Sequence, residues 1–120
     1  MFNFQQECFE NEKNHGFHDG SKLTGLTEFT EKDINAFYRK VALLHTEISE
    51  LVESFRDGTI YTICDKWAAG CTLNFGAEEL GDILIRLFTL AEFLNIDLLN
   101  SAQIKHEFNK TRPFLHGKNS

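Results

Sequence analysis

Ala77-Glu78-Glu79-Leu80-Gly81-Asp82-Ile83-Leu84-Ile85-Arg86 is the stretch that decides the fold of this chain. Its first turns are acidic, and the sequence after them is almost entirely apolar through Leu94. Ile83, Leu84, Ile85, Leu87, Phe88, Leu90 and Ala91 cover nearly every side of a helix, the pattern of a central helix in an all-α domain. Its expected span is about Gly76 to Phe93. Glu79 and Asp82 stand three apart and share a face. The dense apolar sequence beside them sets that face near a core. Gly81 lies between the two, where a helix interior disfavours glycine by roughly 1 kcal/mol against alanine. That points to close approach of another helix or of a ligand.

Upstream, Thr30 and Asp33 form an approximate capping box and open a helix expected to reach Arg56. Its apolar positions are Ile34, Phe37, Val41, Leu44, Ile48, Leu51 and Phe55. Spacings of three and four alternate, giving a heptad stripe suited to shallow-angle helix packing. Asp57-Gly58 stops it. Glu47 and Glu50 lie beside the stripe, one turn apart. In the connection from Thr59 to Phe75, the helical spacing of Ile60, Ile63, Cys64 and Trp67 suggests a short helix. Asn74 is placed to cap the central helix, and Asp97 to cap a further helix from about Leu98 to Lys110, ended by Pro113.

The ends are less informative. Residues 1–30 read as an irregular N-terminal segment with a weak helix over Phe4 to Asn11. Asn14-His15-Gly16-Phe17-His18-Asp19-Gly20 reads as a surface loop anchored by its phenylalanine. Residues 113–120 form a polar tail. The reading is one all-α domain over 1–120, a helical bundle.

A single proline and twelve phenylalanines favour helices over a turn-rich β protein. The net charge of −6 argues against coating a nucleic-acid polymer by phosphate neutralisation. It leaves room for a nucleotide site, because a metal ion can supply the missing positive charge. Cys8, Cys64 and Cys71 are odd in number and lack zinc-knuckle spacing, as expected of reduced thiols in the cytoplasm. The start has no basic region followed by an apolar run, so no secretory leader is expected. No apolar run approaches the roughly 20 residues that cross a bilayer.

Two helices that each offer an i,i+3 acidic pair have the geometry of a carboxylate cage. Solvated acidic faces usually carry lysines or arginines at i+4. Leu51 and Ser54 stand four after Glu47 and Glu50, and Ile83 four after Glu79; only Asp82 has a cation there, Arg86. Crowded carboxylates without cations repel, and a hard divalent cation such as Mg²⁺ relieves them. On the last helix, Lys105, Asn109 and Arg112 share roughly one face and suit phosphate and sugar oxygens. An acidic metal-type face and a basic anion-type face together suggest a metal–polyphosphate substrate. Trp67 reads as a core or interface residue, or as a platform for a base.

Glu47-x-x-Glu50 followed by Glu78-Glu79-x-x-Asp82 resembles the all-α nucleoside triphosphate pyrophosphohydrolases of the MazG-like type, whose pattern is EExxE followed by EExxD. The resemblance spans about His15 to Lys118. It takes in Leu44 to Leu51, Glu78 to Arg86, the run Lys105-x-x-x-Asn109-Lys110-Thr111-Arg112-Pro113, and His116-Gly117-Lys118. One position departs, with Thr46 where the pattern has its first Glu. The resemblance implies Mg²⁺ (with Mn²⁺ substituting) on Glu47, Glu50, Glu79 and Asp82, with Glu47 or Glu50 also serving as general base. It implies phosphate and sugar contacts from Lys105, Asn109 and Arg112, and leaves His15, Phe17 and Trp67 as candidates for the base. The implied reaction converts a (d)NTP and water to (d)NMP and pyrophosphate, in clearing surplus or modified nucleotides. The implied assembly is a homodimer or homotetramer. The competing reading is a non-catalytic helical oligomer that binds nucleotide or metal as a regulatory module. A ferritin-like di-iron protein is disfavoured, because no proposed ligand is followed by His at i+3.

Overall fold

A computed structural model describes residues 3–64 and 72–113 of the chain. Trp67, Cys71 and the tail motif His116-Gly117-Lys118 lie outside the described residues. The described residues form four helices: α1 (Phe4–Asn14), α2 (Glu31–Arg56), α3 (Phe75–Phe93) and α4 (Leu98–Lys110). No strand occurs among the described residues, where one isolated antiparallel bridge joins Ile63 to Asn74. The protein is all-α.

Local chemistry sets the helix starts. Thr30 Oγ1 accepts the Asp33 N–H and Asp33 Oδ2 accepts the Thr30 N–H, each at 3.1 Å. Asn74 Oδ1 accepts the Ala77 N–H at 2.8 Å, and Asp97 Oδ1 that of Asn100 at 3.1 Å. Each bond satisfies a donor that the first turn of a helix leaves without a partner. Gly58, at φ 71°, turns the chain out of α2 in the left-handed region.

The N-terminal segment is more regular than its sequence suggests. Asn3 and Gln6 make a reciprocal capping box, and α1 continues to Asn14. Its buried residues are Gln5, Cys8, Phe9 and Glu12, one helical stripe with a polar group at each end. That mixed stripe hides the helix from a search for apolar periodicity. Gln5 ties the helix down: its Nε2 donates to Glu92 Oε1 (3.0 Å) and the Ile96 carbonyl (2.7 Å), while its Oε1 accepts the Leu98 N–H (3.1 Å).

The expected short helix around Ile60 does not form in the described part of the connection. Residues 60–64 run against 73–76 instead. Gly76 N donates to Ile60 O at 2.8 Å, Phe75 N to Thr62 O at 2.9 Å and Cys64 N to Leu73 O at 2.9 Å. Pairing across the connection outweighs the helical spacing of its apolar residues. Gly76 permits the close pass, since a Cβ there would lie 2.8 Å from Ile60 Cγ1 and 3.0 Å from Ile60 O.

α3 is the hub. It packs against α1 and α2 and, more slightly, against α4. The buried residues of α2 are Lys40, Glu47 and Ser54, spaced by seven beside the apolar stripe. The stripe itself is only partly covered, with Ile34, Ile48 and Phe55 exposed. Among the described residues, the buried apolar core consists of Cys8, Phe9, Cys64, Ala91 and Phe93. The close approach expected at Gly81 is not made by any described residue, since a Cβ there would meet nothing within 4 Å.

Candidate metal centre

Glu47 comes from the middle of α2, Glu50 from its next turn, and Glu79 from the second turn of α3. Each offers a carboxylate oxygen, and the three oxygens lie within 4.8 Å of one another. Glu47 and Glu79 are buried and Glu50 is exposed, so the cluster opens to solvent on one side. Glu78 and Glu79 also stand near the N-terminus of α3, where the helix dipole favours negative charge. Asp82, one turn further on, is outside this tight group. Its charge nevertheless helps raise the pKa of both Glu47 and Glu79.

Burial is the main reason these carboxyls resist ionisation. It pushes Glu79 up to about 7, assisted by hydrogen bonding to Glu50 and by the charges of Glu50, Asp82 and Glu78. Glu47 is raised by burial first, then by Asp82 and Glu50, against a lowering hydrogen bond from Arg86. Glu47 Oε2 and Glu79 Oε2 are buried and accept no hydrogen bond among the described residues. The neighbouring polar group is another carboxyl, which can serve them only while one member holds a proton. A buried acceptor without a donor is destabilising, and a bound cation or a shared proton removes the penalty.

The donor set selects among cations. It is made of carboxylate oxygens, with neither imidazole nor thiolate, which suits Mg²⁺, Mn²⁺ or Ca²⁺ rather than Zn²⁺. Octahedral Mg²⁺ at about 2.1 Å places its oxygens about 3.0 to 4.2 Å apart. Oxygens as far apart as 4.8 Å must therefore draw together for the cluster to hold the ion.

Arg86 joins this cluster to the rest of the fold. Its Nε donates to Glu47 Oε1 at 3.3 Å and its Nη1 to Glu12 Oε1. The Phe17 ring lies 4.6 Å from the guanidinium. Glu12 Oε2 accepts from Thr89 Oγ1. Arg86, expected to accompany Asp82 along its own helix, thus serves carboxylates from α1 and α2. Glu47 lacks a helical counter-ion but has this tertiary one, on the oxygen opposite its open Oε2. Sequence separation hides the contact, because Glu12 and Arg86 are 74 residues apart.

The other candidates are distributed differently. Lys105 Nζ lies 4.8 Å and the Arg112 guanidinium 5.6 Å from the centre of the Phe108 ring, so the two cations gather on one aromatic side chain. Asn109 Oδ1 is buried and accepts no hydrogen bond. No residue of α4 is buried. Phe17 reaches the edge of the carboxylate cluster through Arg86, whereas exposed His15 is engaged by the Asn11 carbonyl at 2.7 Å. Thr46 is exposed and donates its hydroxyl to the Ala42 carbonyl at 3.1 Å.

Fold and site together define an all-helical domain with a partly buried three-glutamate cluster. No protein-family model matches this chain, nor does any curated protein or any solved structure.

Proposed function

We propose that the chain is a Mg²⁺-dependent nucleoside triphosphate pyrophosphohydrolase of the MazG-like type, releasing nucleoside monophosphate and pyrophosphate. The observation that carries the reading is the meeting of Glu47, Glu50 and Glu79 within 4.8 Å, with two buried carboxylate oxygens that accept no hydrogen bond among the described residues. Mg²⁺ (or Mn²⁺ in its place) supplies charge neutralisation of the triphosphate and acidification of a water. Glu47, Glu50 and Glu79, with Asp82 beside them, would hold the ion. Glu50, exposed at the mouth of the cluster, is best placed to take a proton from a water attacking the α-phosphorus. Lys105 and Arg112 stabilise charge on the leaving pyrophosphate. Asn109 Oδ1, without a donor among the described residues, accepts from a sugar hydroxyl. The departure at Thr46 falls on an exposed side chain bonded to its own helix, so it leaves the proposed ligand set intact. A homodimer or homotetramer, acting on surplus or modified nucleotides in the cytoplasm, completes the proposal.

Product analysis tests it. Purified protein is incubated with Mg²⁺ and a panel of ordinary and modified (d)NTPs, with an EDTA control. Monophosphate plus pyrophosphate, abolished by EDTA, is expected. Glu50→Gln and Asp82→Asn are expected to lower turnover at least about 100-fold while leaving the fold intact. Diphosphate plus phosphate would refute attack at the α-phosphorus. Binding of nucleotide without turnover would favour the non-catalytic regulatory module.

A further inference from the structure

A cavity of about 660 Å³ lies between the loop after α1 and the first half of α2. Its walls include Gly16, Asp19 and Ser21 from the loop, and Asn35, Arg39 and Lys40 from α2. None of the four proposed metal ligands lines it. Lys40 is the unusual member. The residue is only 6% exposed, its ammonium makes no hydrogen bond or ion pair among the described residues, and Nζ is not among the fully enclosed polar atoms, so it keeps an opening to solvent. Nζ rests 4.7 Å from the centre of the buried Phe93 ring. A cation–π contact of this kind recovers only part of what an ammonium loses on leaving water.

The neighbouring groups do not supply the missing partner. Both oxygens of Glu12 are taken, by Arg86 and by Thr89. Asp19 Oδ1 accepts from the Ser21 N–H and hydroxyl, and its Oδ2 from Lys32 at 2.9 Å. His18 Nε2 engages the Phe9 carbonyl and its Nδ1 accepts the Gly20 N–H, each at 3.0 Å. That leaves the imidazole neutral and fully bonded. Glu31 lies on the wall two turns from Arg39, toward the outer end of α2. With Lys32 and Asp19 paired, the remaining charges are Lys40 and Arg39 against this single carboxylate.

We propose that this cavity is an anion site that takes the phosphate group of a small molecule, with the Lys40 ammonium as its inner anchor and Arg39 on its wall. Two cations favour a phosphate dianion over a carboxylate. The volume falls in the range that holds a small organic ligand rather than a bare ion. Lys40 and Glu47 are on one face of α2, about 10 Å apart along the helix axis, so the site is separate from the carboxylate cluster and stands whether or not the chain is a hydrolase.

The test uses the full chain, freed of metal with EDTA, and inorganic phosphate as the probe. Amide shifts are followed in ¹⁵N–¹H spectra against sodium chloride of equal ionic strength, with acetate as a second arm. Saturable shifts at Ser21, Asn35 and Ala36 with phosphate are expected. Lys40→Met is expected to weaken phosphate at least about tenfold, and exposed Arg39→Ala to weaken it less. Since methionine fills the position without a buried charge, Lys40→Met should keep or raise Tm, so lost binding cannot be ascribed to unfolding. Glu50→Gln should bind phosphate here like the parent chain, which separates this site from the hydrolase reading. No saturable shift with phosphate, equal affinity in Lys40→Met, or saturation by acetate alone would each overturn the assignment.

Discussion

Arg86 holds two buried carboxylates, and its replacement leaves both without their ion-pair partner. Removing one member of a buried, hydrogen-bonded ion pair typically destabilises by about 3–5 kcal/mol. Arg86→Met is expected to lower the denaturant midpoint accordingly; an unchanged midpoint would mean that Glu12 and Glu47 are protonated in the parent chain. Glu79 gives the site its pH signature. Its pKa, ordinarily 4.5, is pushed up to about 7 by burial and by its acidic neighbours. A carboxyl whose folded pKa exceeds its unfolded one contributes stability that is complete below the unfolded value and is lost as pH rises through the folded value. In metal-free protein, the Tm of the parent should therefore fall relative to that of Glu79→Gln between about pH 5 and pH 8. Saturating Mg²⁺ should abolish that relative fall. A difference that stays flat with pH in the absence of metal would show that Glu79 ionises normally.

At the scale of elements, the helix boundaries were legible because their causes are local. Thr30 with Asp33, Asn74 and Asp97 each act within three residues of a helix start. Thr30→Ala should cost about 1 kcal/mol of unfolding free energy, measured by urea titration; no change would mean that tertiary packing alone fixes the start of α2. The acidic pairs were legible for the same reason, since helical spacing sets which carboxylates share a face. Three of the four carboxylates, Glu47, Glu50 and Glu79, come within 4.8 Å of one another. What the sequence concealed were contacts between distant segments. Nothing near Glu12 announces that it will reach Arg86, and nothing near Ile60 announces that its carbonyl will accept the Gly76 N–H at 2.8 Å. The stripe on α2 is helical, as its spacing predicts, yet its most buried neighbours, Lys40 and Glu47, are charged. Periodicity identifies an apolar face; it does not identify which edge of that face turns toward α3.

The whole molecule leaves much apolar surface uncovered for a chain of its length. Ile48, Val52 and Phe55 follow one another along an outward face of α2, with Phe55 74% exposed. Leu80 and Leu84 do the same on α3 beside Gly81. The radius of gyration is 17.3 Å, against about 14 Å for a compact chain of this length. The buried apolar side chains among the described residues are few, and a second copy laid on these faces would extend their core. The proposed oligomer therefore makes two linked predictions. Light scattering coupled to gel filtration should give at least twice the chain mass, and Val52→Glu should shift it toward the single chain with a lower Tm. Gly81→Ala then reports which face is covered. In the lone chain an added Cβ meets nothing, so alanine should stabilise α3 by up to about 1 kcal/mol. If the second copy closes over Gly81, the same methyl group obstructs the approach and stability falls instead. A stabilised Gly81→Ala that remains a dimer places the interface on α2 alone; a stabilised Gly81→Ala in a parent that runs as a monomer refutes the oligomer.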